Sequence, residues 1–260
     1  MKASIVIANY NNAQFIDDCI NSLKSQTYKD IEIIFFDDNS KDDSIEVIEK
    51  FEDIKIIRNK EQTNFGSLNQ LNAFKKAVEL STGEIIFLLD SDDYFALDKV
   101  EKIINEFLKN DKKMILYDFP ILFKNNKQII YEKRDKILKT YWGYIHPTSC
   151  ISIRKNFTDK IFKNISDKNY TNIWLDLRIL LYSKYMHSYD VINEKLTYYR
   201  QTESNVSSKF KKYSSNWWVR RNEAHDYFFD FAKKNNLKIR KNLDFYITKI
   251  FKNFIKWKKF

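Results

Sequence analysis

Short, unbroken apolar runs alternate with stretches of helical period through residues 1–119, and this alternation restricts the fold more than any other feature. Residues 3–8, 31–36, 54–57, 84–89 and 114–119 have the length and apolar content of buried strands. Between them, Phe15, Ile16, Cys19, Ile20 and Leu23 recur at helical spacing. So do Ile45, Ile48 and Phe51, then Leu68, Leu71, Phe74, Ala77 and Val78, and then Val100, Ile103, Ile104 and Phe107. Ser40 or Asp42 is placed to cap the second helix, and Gly83 to terminate the third. Strands joined by helices imply right-handed crossovers and a mostly parallel sheet, the α/β class.

After Pro120 the pattern changes. Residues 121–123 and 128–131 flank Asn125 and Asn126 and read as a hairpin. Residues 148–153 read as a strand and 196–199 as a short one. Residues 174–185 read as a helix that is apolar on most sides and therefore buried. Two amphipathic helices are expected at roughly 213–234 and 243–259. Charge divides the chain at the same place: residues 205–260 hold 15 Lys/Arg against 4 Asp/Glu, whereas the remainder is near neutral with 30 against 31. The expected organisation is a catalytic body over 1–204, with halves 1–119 and 120–204, and a basic helical extension over 205–260.

Scarce residues exclude several chemistries. Three glycines (Gly66, Gly83, Gly143) cannot build a glycine-rich dinucleotide loop or a Walker A loop. Two cysteines and three histidines, all scattered, give no zinc site of ordinary spacing. No apolar run approaches the roughly 18 to 20 residues of a membrane span. Unpaired-looking cysteines without a signal peptide point to the cytoplasm.

The candidate chemistry is carboxylate chemistry at strand ends. Asp37 and Asp38 follow the second strand; Asp90, Asp92 and Asp93 follow the fourth. Open parallel sheets bind ligands beyond the carboxyl ends of their strands. Turns favour Asp, which is the plain reading of Asp37 and Asp38. Three aspartates in four residues repel one another unless a cation neutralises them, and Mn2+ or Mg2+ takes carboxylate oxygens together with substrate phosphates.

Five pieces in order carry a resemblance: SIVIANYN at 4–11, SQTY at 25–28, IIFFDDNS at 33–40, STGEII at 81–86 and FLLDSDD at 87–93. Together they resemble the family 2 glycosyltransferases of the GT-A fold, which move a sugar from a nucleoside diphosphate donor. The resemblance implies a Rossmann-like, mostly parallel sheet with flanking helices. It places the backbone at Ala8 and the ring of Tyr10 against the nucleotide base. Asp38 would accept a base N–H, which favours uracil. Asp90 would lie by the ribose, Asp92 would bind the metal, and Asp93 stands beside it. Asn72 matches a helix-borne asparagine of the family. Arg200, in YRQT at 199–202, would reach the diphosphate or else pair with a surface acid.

Departures from the family pattern are specific. Ala8 and Leu97 replace prolines, and Thr202 stands where a histidine is common. The Glu-Asp pair that supplies the base in inverting members is missing, and Asp176 in WLDLR at 174–178 is the candidate base; its alternative is an ion pair with Arg178. Trp142, Tyr144 and His146 form a candidate aromatic wall for the acceptor sugar, or else core packing. A Q-x-x-R-W motif is missing, so addition of a single sugar is expected. The implied partners are a nucleotide-sugar donor, a glycan or lipid-linked glycan acceptor, and an anionic membrane surface met by residues 241–260; no nucleic acid is expected. A nucleotidyltransferase would want a glycine- and base-rich loop after the first strand, which Asn9–Gln14 lacks. An RNA-binding protein using the basic tail would leave Asp90, Asp92 and Asp93 without a role, and a donor-binding protein without activity is the remaining alternative.

Overall fold

A computed structural model of the chain describes residues 1–124, 127–129, 140–187, 189–201 and 210–257. The expected parallel half is present. Strand β1 (Ala3–Asn9) leads to helix α1 (Ala13–Lys24), β2 (Ile31–Asp37) to α2 (Ser44–Ile48), β3 (Ile54–Arg58) to α3 (Gly66–Glu79), and β4 (Ile85–Asp90) closes the series. The strands run parallel in the order β3-β2-β1-β4.

The second half adds β5 (Tyr94–Phe95), α4 (Lys99–Lys109), β6 (Ile115–Lys124), β7 (Lys127–Ile129), β8 (Ile151–Arg154), α5 (Lys155–Ile165), α6 (Leu175–Met186) and β9 (Asp190–Arg200). Beyond β4 the sheet continues β8-β6-β9-β5 with mixed directions: β8 is antiparallel to β4 and β6, while β9 is parallel to β6. β7 pairs antiparallel with β6 in the expected hairpin, whose tip at Asn125 and Asn126 lies outside the described residues.

Alternation along the strands builds two cores. Val6, Ile34, Phe36, Ile86 and Leu88 point to one face, against α3, α5 and α6. Ile5, Ile7, Phe35, Phe87 and Leu89 point to the other, against α1 and α4. Residues of α6 are buried all round, as its uniformly apolar composition requires.

Several elements differ from the sequence reading. β6 does not stop at Pro120; irregular register opposite β9 between Tyr117 and Pro120 accommodates the residue without an N–H. α5 was not expected, and β9 begins six residues earlier than the expected strand at 196. The first half of the expected strand at 148–153 is a 3-10 turn, Thr148–Cys150. Asp42 does hold the start of α2, accepting from the Ser44 N–H at 3.1 Å and hydroxyl at 2.6 Å, whereas Ser40 bonds to Asp37. Gly83 does not end α3, which stops at Glu79; it is required where β4 enters, because a Cβ there would lie 2.5 Å from Ser4 Oγ and 2.7 Å from Ser4 N.

The basic region forms α7 (Ser215–Lys234) and α8 (Leu243–Trp257). Ala224, Tyr227, Phe228 and Phe231 of α7 join the core that holds α6, with Tyr227 edge-on to Tyr170 and Phe231 edge-on to Tyr182. The expected boundary near Ser204, and Thr202, lie outside the described residues.

Candidate active site

Register sets the site. β1 lies between β2 and β4 with Asn9 beside Asp37 and Ala8 beside Asp90, so the acidic pair after β2 and the three aspartates after β4 lie at one edge of the sheet. The two members of the first pair do different work. Asp37 is a turn brace: its carboxylate accepts from Asn9 Nδ2 at 2.8 Å, Ser40 Oγ at 2.6 Å and Ser40 N at 3.0 Å. Asp38 is tied by its backbone N–H to the Asn9 carbonyl at 2.8 Å, and its carboxylate accepts from Asn59 Nδ2 at 2.7 Å and Gln62 Nε2 at 2.9 Å. Tyr10 stands at the rim, 49% exposed, and Ala8 accepts from the Ser91 N–H at 3.1 Å.

The turn after β4 is held from several elements. Asp90 N donates to Ser149 Oγ at 3.1 Å, and Gln70 Nε2 of α3 donates to Asp90 Oδ1 at 2.8 Å. Asp93 is buried and accepts from Ser149 Oγ at 2.6 Å and from Arg200 N at 2.9 Å. Arg200 Nε donates to the Asp92 carbonyl at 2.9 Å and Nη2 to Asp18 at 2.8 Å, while the guanidinium lies over the rings of Phe15 and Tyr94. Of its two expected roles, Arg200 is placed in the pairing with a surface acid and braces the acidic turn. Among the described residues the Asp92 carboxylate accepts from its own N–H and from no other residue.

Burial and crowding tax these carboxylates. The Asp90 carboxyl is pushed up to about 8, first by burial, then by the charges of Asp92 and Asp176, with the Gln70 bond pulling back. Asp92 is pushed up to about 6, chiefly by burial, against the pull of its own N–H and Arg200. Asp93 is raised by burial and by Asp92 and Asp90. Ionising this cluster is therefore costly without a cation: with its carboxyl pushed up to about 8, Asp90 keeps its proton at neutral pH.

Asp176 opens α6 and is half-buried, close enough to help raise Asp90. Burial raises its pKa, and the charge of Arg220 from α7 opposes the shift. The alternative pairing with Arg178 is absent. Arg178 is fully buried and donates instead to the carbonyls of Ile173 (2.8 Å), Ile165 (2.6 Å), Asp167 (2.7 Å) and Tyr170 (2.6 Å). It thereby fixes the loop that delivers Asp176. The same loop is set against α3, where Trp174 would come within 3.2 Å of a Cβ at Gly66.

Three further expected positions lie as follows. Asn72, half-buried on α3, makes no described bond to the acidic turn; Gln70, about 200° away around the helix, is the amide that does. Trp142 is buried beneath the Arg221 guanidinium and beside His225. His146 is buried with Nδ1 2.8 Å from the Asp118 carbonyl, among Tyr117, Phe119 and Tyr144. Burying these two rings removes their apolar area from water, which is the core-packing alternative, whereas Tyr144 is 43% exposed. Gln70, Ser149 and Arg220 carried no local sequence signal, because each reaches the site only through packing.

A hard divalent cation fits this donor set. Among the described residues no cage of three His, Cys, Asp or Glu side chains exists. The ligand it offers is the Asp92 carboxylate, less raised at about 6 than Asp90 at about 8, and a single carboxylate suits a cation completed by substrate phosphates.

Comparisons agree with this geometry. The family model described as glycosyl transferase family 2 matches residues 4–180. The chain is 32% identical over 219 residues to an Escherichia coli UDP-Glc:alpha-D-GlcNAc-diphosphoundecaprenol beta-1,3-glucosyltransferase, covering 80% of this chain and 81% of that one. It is 31% identical over 217 residues to an uncharacterized glycosyltransferase of Nostoc sp., covering 77% of this chain and 65% of that protein's length. Among solved structures, Staphylococcus aureus TarS 1–349 with UDP-GlcNAc superposes with a TM-score of 0.64 at 15% identity, covering 97% of this chain and 70% of that one. A Pyrobaculum calidifontis mannosyltransferase with GDP-Man and Mn2+ gives 0.54 at 13% identity, covering 94% and 66%. The α/β architecture is the GT-A type of sheet expected from the sequence.

Proposed function

The chain belongs to glycosyl transferase family 2, and on that premise we propose that it transfers one sugar from a nucleoside diphosphate sugar to a bacterial surface-glycan acceptor, with inversion at the anomeric carbon. The observation that carries the reading is that half-buried Asp90 of the β4 turn lies within electrostatic reach of both its neighbour Asp92 and Asp176 of α6. The nucleotide is uridine diphosphate: Asp38 is held at the mouth by Asn59 and Gln62 with its backbone pinned to Asn9, ready for a base N–H. Tyr10 at the rim offers the base a ring to lie on.

In the transfer, Asp176 accepts the proton of the acceptor hydroxyl as its oxygen bonds to the anomeric carbon. The bond from that carbon to the β-phosphate oxygen breaks on the opposite face, and the nucleoside diphosphate leaves with the electron pair. Burial raises the Asp176 pKa, which makes the carboxylate a stronger base. Mn2+ or Mg2+ held by Asp92 would supply charge compensation for the departing diphosphate. Asp93, Ser149 and Arg200 keep the turn that presents Asp92 in one conformation. Tyr144 is the exposed ring for the acceptor sugar. The acceptor is a lipid diphosphate-linked sugar at the inner face of the plasma membrane, a reading supported by the acceptor named for the Escherichia coli relative.

The test is a panel of nucleotide sugars with Mn2+, read as donor hydrolysis and as transfer onto a polyprenyl diphosphate sugar. Turnover of a UDP-sugar that disappears in Asp92→Ala supports the reading. Silence across the panel with both metals, in a folded protein, removes it.

A further inference from the structure

Helix α8 is packed inside out. Toward α7 it turns Asp244, Phe245 and Thr248, all buried. Asp244 meets Arg221 Nε at 3.0 Å and His225 Nε2 at 3.1 Å, and Lys249 reaches Asp226 at 2.5 Å. The helix is pinned by these polar contacts together with Phe245, which packs edge-on against His225 and Phe229. Leu243, Tyr246 and Ile250 face outward at 65%, 54% and 66% exposure, and half-exposed Phe254 continues the row. Spacings of three and four place these on one stripe. A helix serving only the core would bury that stripe.

We infer that the outward face of α8 docks on an anionic lipid surface. Charge selects this occupant over a second copy of the chain. Residues 205–260 carry 15 Lys/Arg against 4 Asp/Glu. Apposing two such regions is repulsive, whereas an anionic leaflet attracts them. The exposed residues of this region are interfacial in chemistry: Lys211, Lys212 and Lys241 are exposed, Lys212 lies over the ring of Tyr213, itself 64% exposed, and Lys241 over that of Phe245 on α8. Phe251, 45% exposed, stacks on buried Trp218 of α7 at 4.3 Å between ring centroids. Among the described residues no helix is long and apolar enough to cross a membrane, so the contact is one of lying on the surface.

The experiment is co-sedimentation of the full chain with vesicles of phosphatidylcholine alone and of phosphatidylcholine mixed with phosphatidylglycerol. Wild type binds the anionic vesicles at least roughly tenfold more tightly, and added salt weakens the binding. The double variant Leu243→Ser/Ile250→Ser, folded by circular dichroism, loses most of the binding, by about tenfold or more. Quenching of tryptophan fluorescence by brominated lipid in the wild type gives a readout that needs no variant. Equal binding to both vesicles, no quenching, or unchanged binding of the folded variant overturns the inference. So does a lipid-free dimer in sedimentation velocity that the double variant dissociates. No donor or turnover enters these measurements, so they stand apart from the sugar-transfer reading.

Discussion

Ser149 Oγ lies 2.6 Å from Asp93 Oδ2, and that contact separates the work of two neighbouring carboxylates. With Arg200 N on its other oxygen, Asp93 is consumed in holding the turn, while the Asp92 carboxylate faces the site without such a donor. Ser149→Ala leaves a buried carboxylate oxygen unpaired and is expected to cost about 1–3 kcal/mol in thermal unfolding. Asp92→Asn is expected to lower kcat/KM by about a hundredfold or more with little loss of stability. Equal damage to both quantities in both variants contradicts the division.

With Asp176 as the proposed base, the acid limb of the pH profile is expected to follow its carboxyl. Its pKa is raised by burial, so a base that must be ionised loses activity at higher pH than an ordinary carboxylate would. The sign for stability is the opposite of a salt-bridged acid: the folded protein binds this proton more tightly than the unfolded chain, so the ionised form costs stability at neutral pH. Asp176→Asn is therefore expected to reduce transfer by about 10²–10⁴-fold while raising Tm at pH 7. A fall in both would assign Asp176 a structural role.

Lys99 and Asp118 form a fully buried ion pair, Nζ to Oδ2 at 2.7 Å. The ammonium also donates to the Ser149 carbonyl at 2.7 Å and to Thr197 Oγ1 at 2.6 Å, so α4, β6, β9 and the turn beneath the site share one node. Lys99→Met strands a buried carboxylate and is expected to cost about 3–5 kcal/mol; adding Asp118→Leu recovers a large part of it. A double-mutant cycle in denaturant gives the coupling, and additive losses would refute the node.

Glu32 makes the parallel half acid-sensitive. Burial pushes its pKa up, but the Ser4 hydroxyl, the Thr82 N–H and hydroxyl and the Gly83 N–H outweigh it, and the carboxyl is pulled down from 4.5 to about 2. A depressed folded-state pKa adds stability above about pH 4.5 that is lost as pH falls toward about 2. Glu32→Gln is expected to flatten this acid loss in thermal melts across that range. Gly83→Ala, which drives a Cβ into Ser4, is expected to cost about 1–3 kcal/mol and also to weaken the acid dependence, because Ser4 and the Gly83 N–H both donate to Glu32.

Much of the fold was legible because strand and helix periods are local properties of the chain. The runs at 3–8, 31–36 and 84–89 could only be buried strands, and their acidic ends had to fall on one edge once the strands ran parallel. Helix α5 was equally written in Phe157, Ile161, Phe162 and Ile165, at helical spacing that the sequence reading passed over. Pro120 misled for a physical reason: a proline ends a regular strand, yet an irregular register can absorb it.

The sequence alone determined the alternation, the carboxyl-edge acids and the basic charge of the last 56 residues. Tertiary structure decided which polar atom meets which carboxylate. Gln70 rather than Asn72 touches Asp90, Arg178 spends itself on backbone carbonyls and leaves Asp176 to the site, and the rings of Trp142 and His146 fill the core. It also decided that α8 hides its aspartate and shows its apolar stripe. Such choices are made between residues far apart in the chain, as with Arg200 and Asp93 at a separation of 107, where packing geometry and not residue type selects the partner.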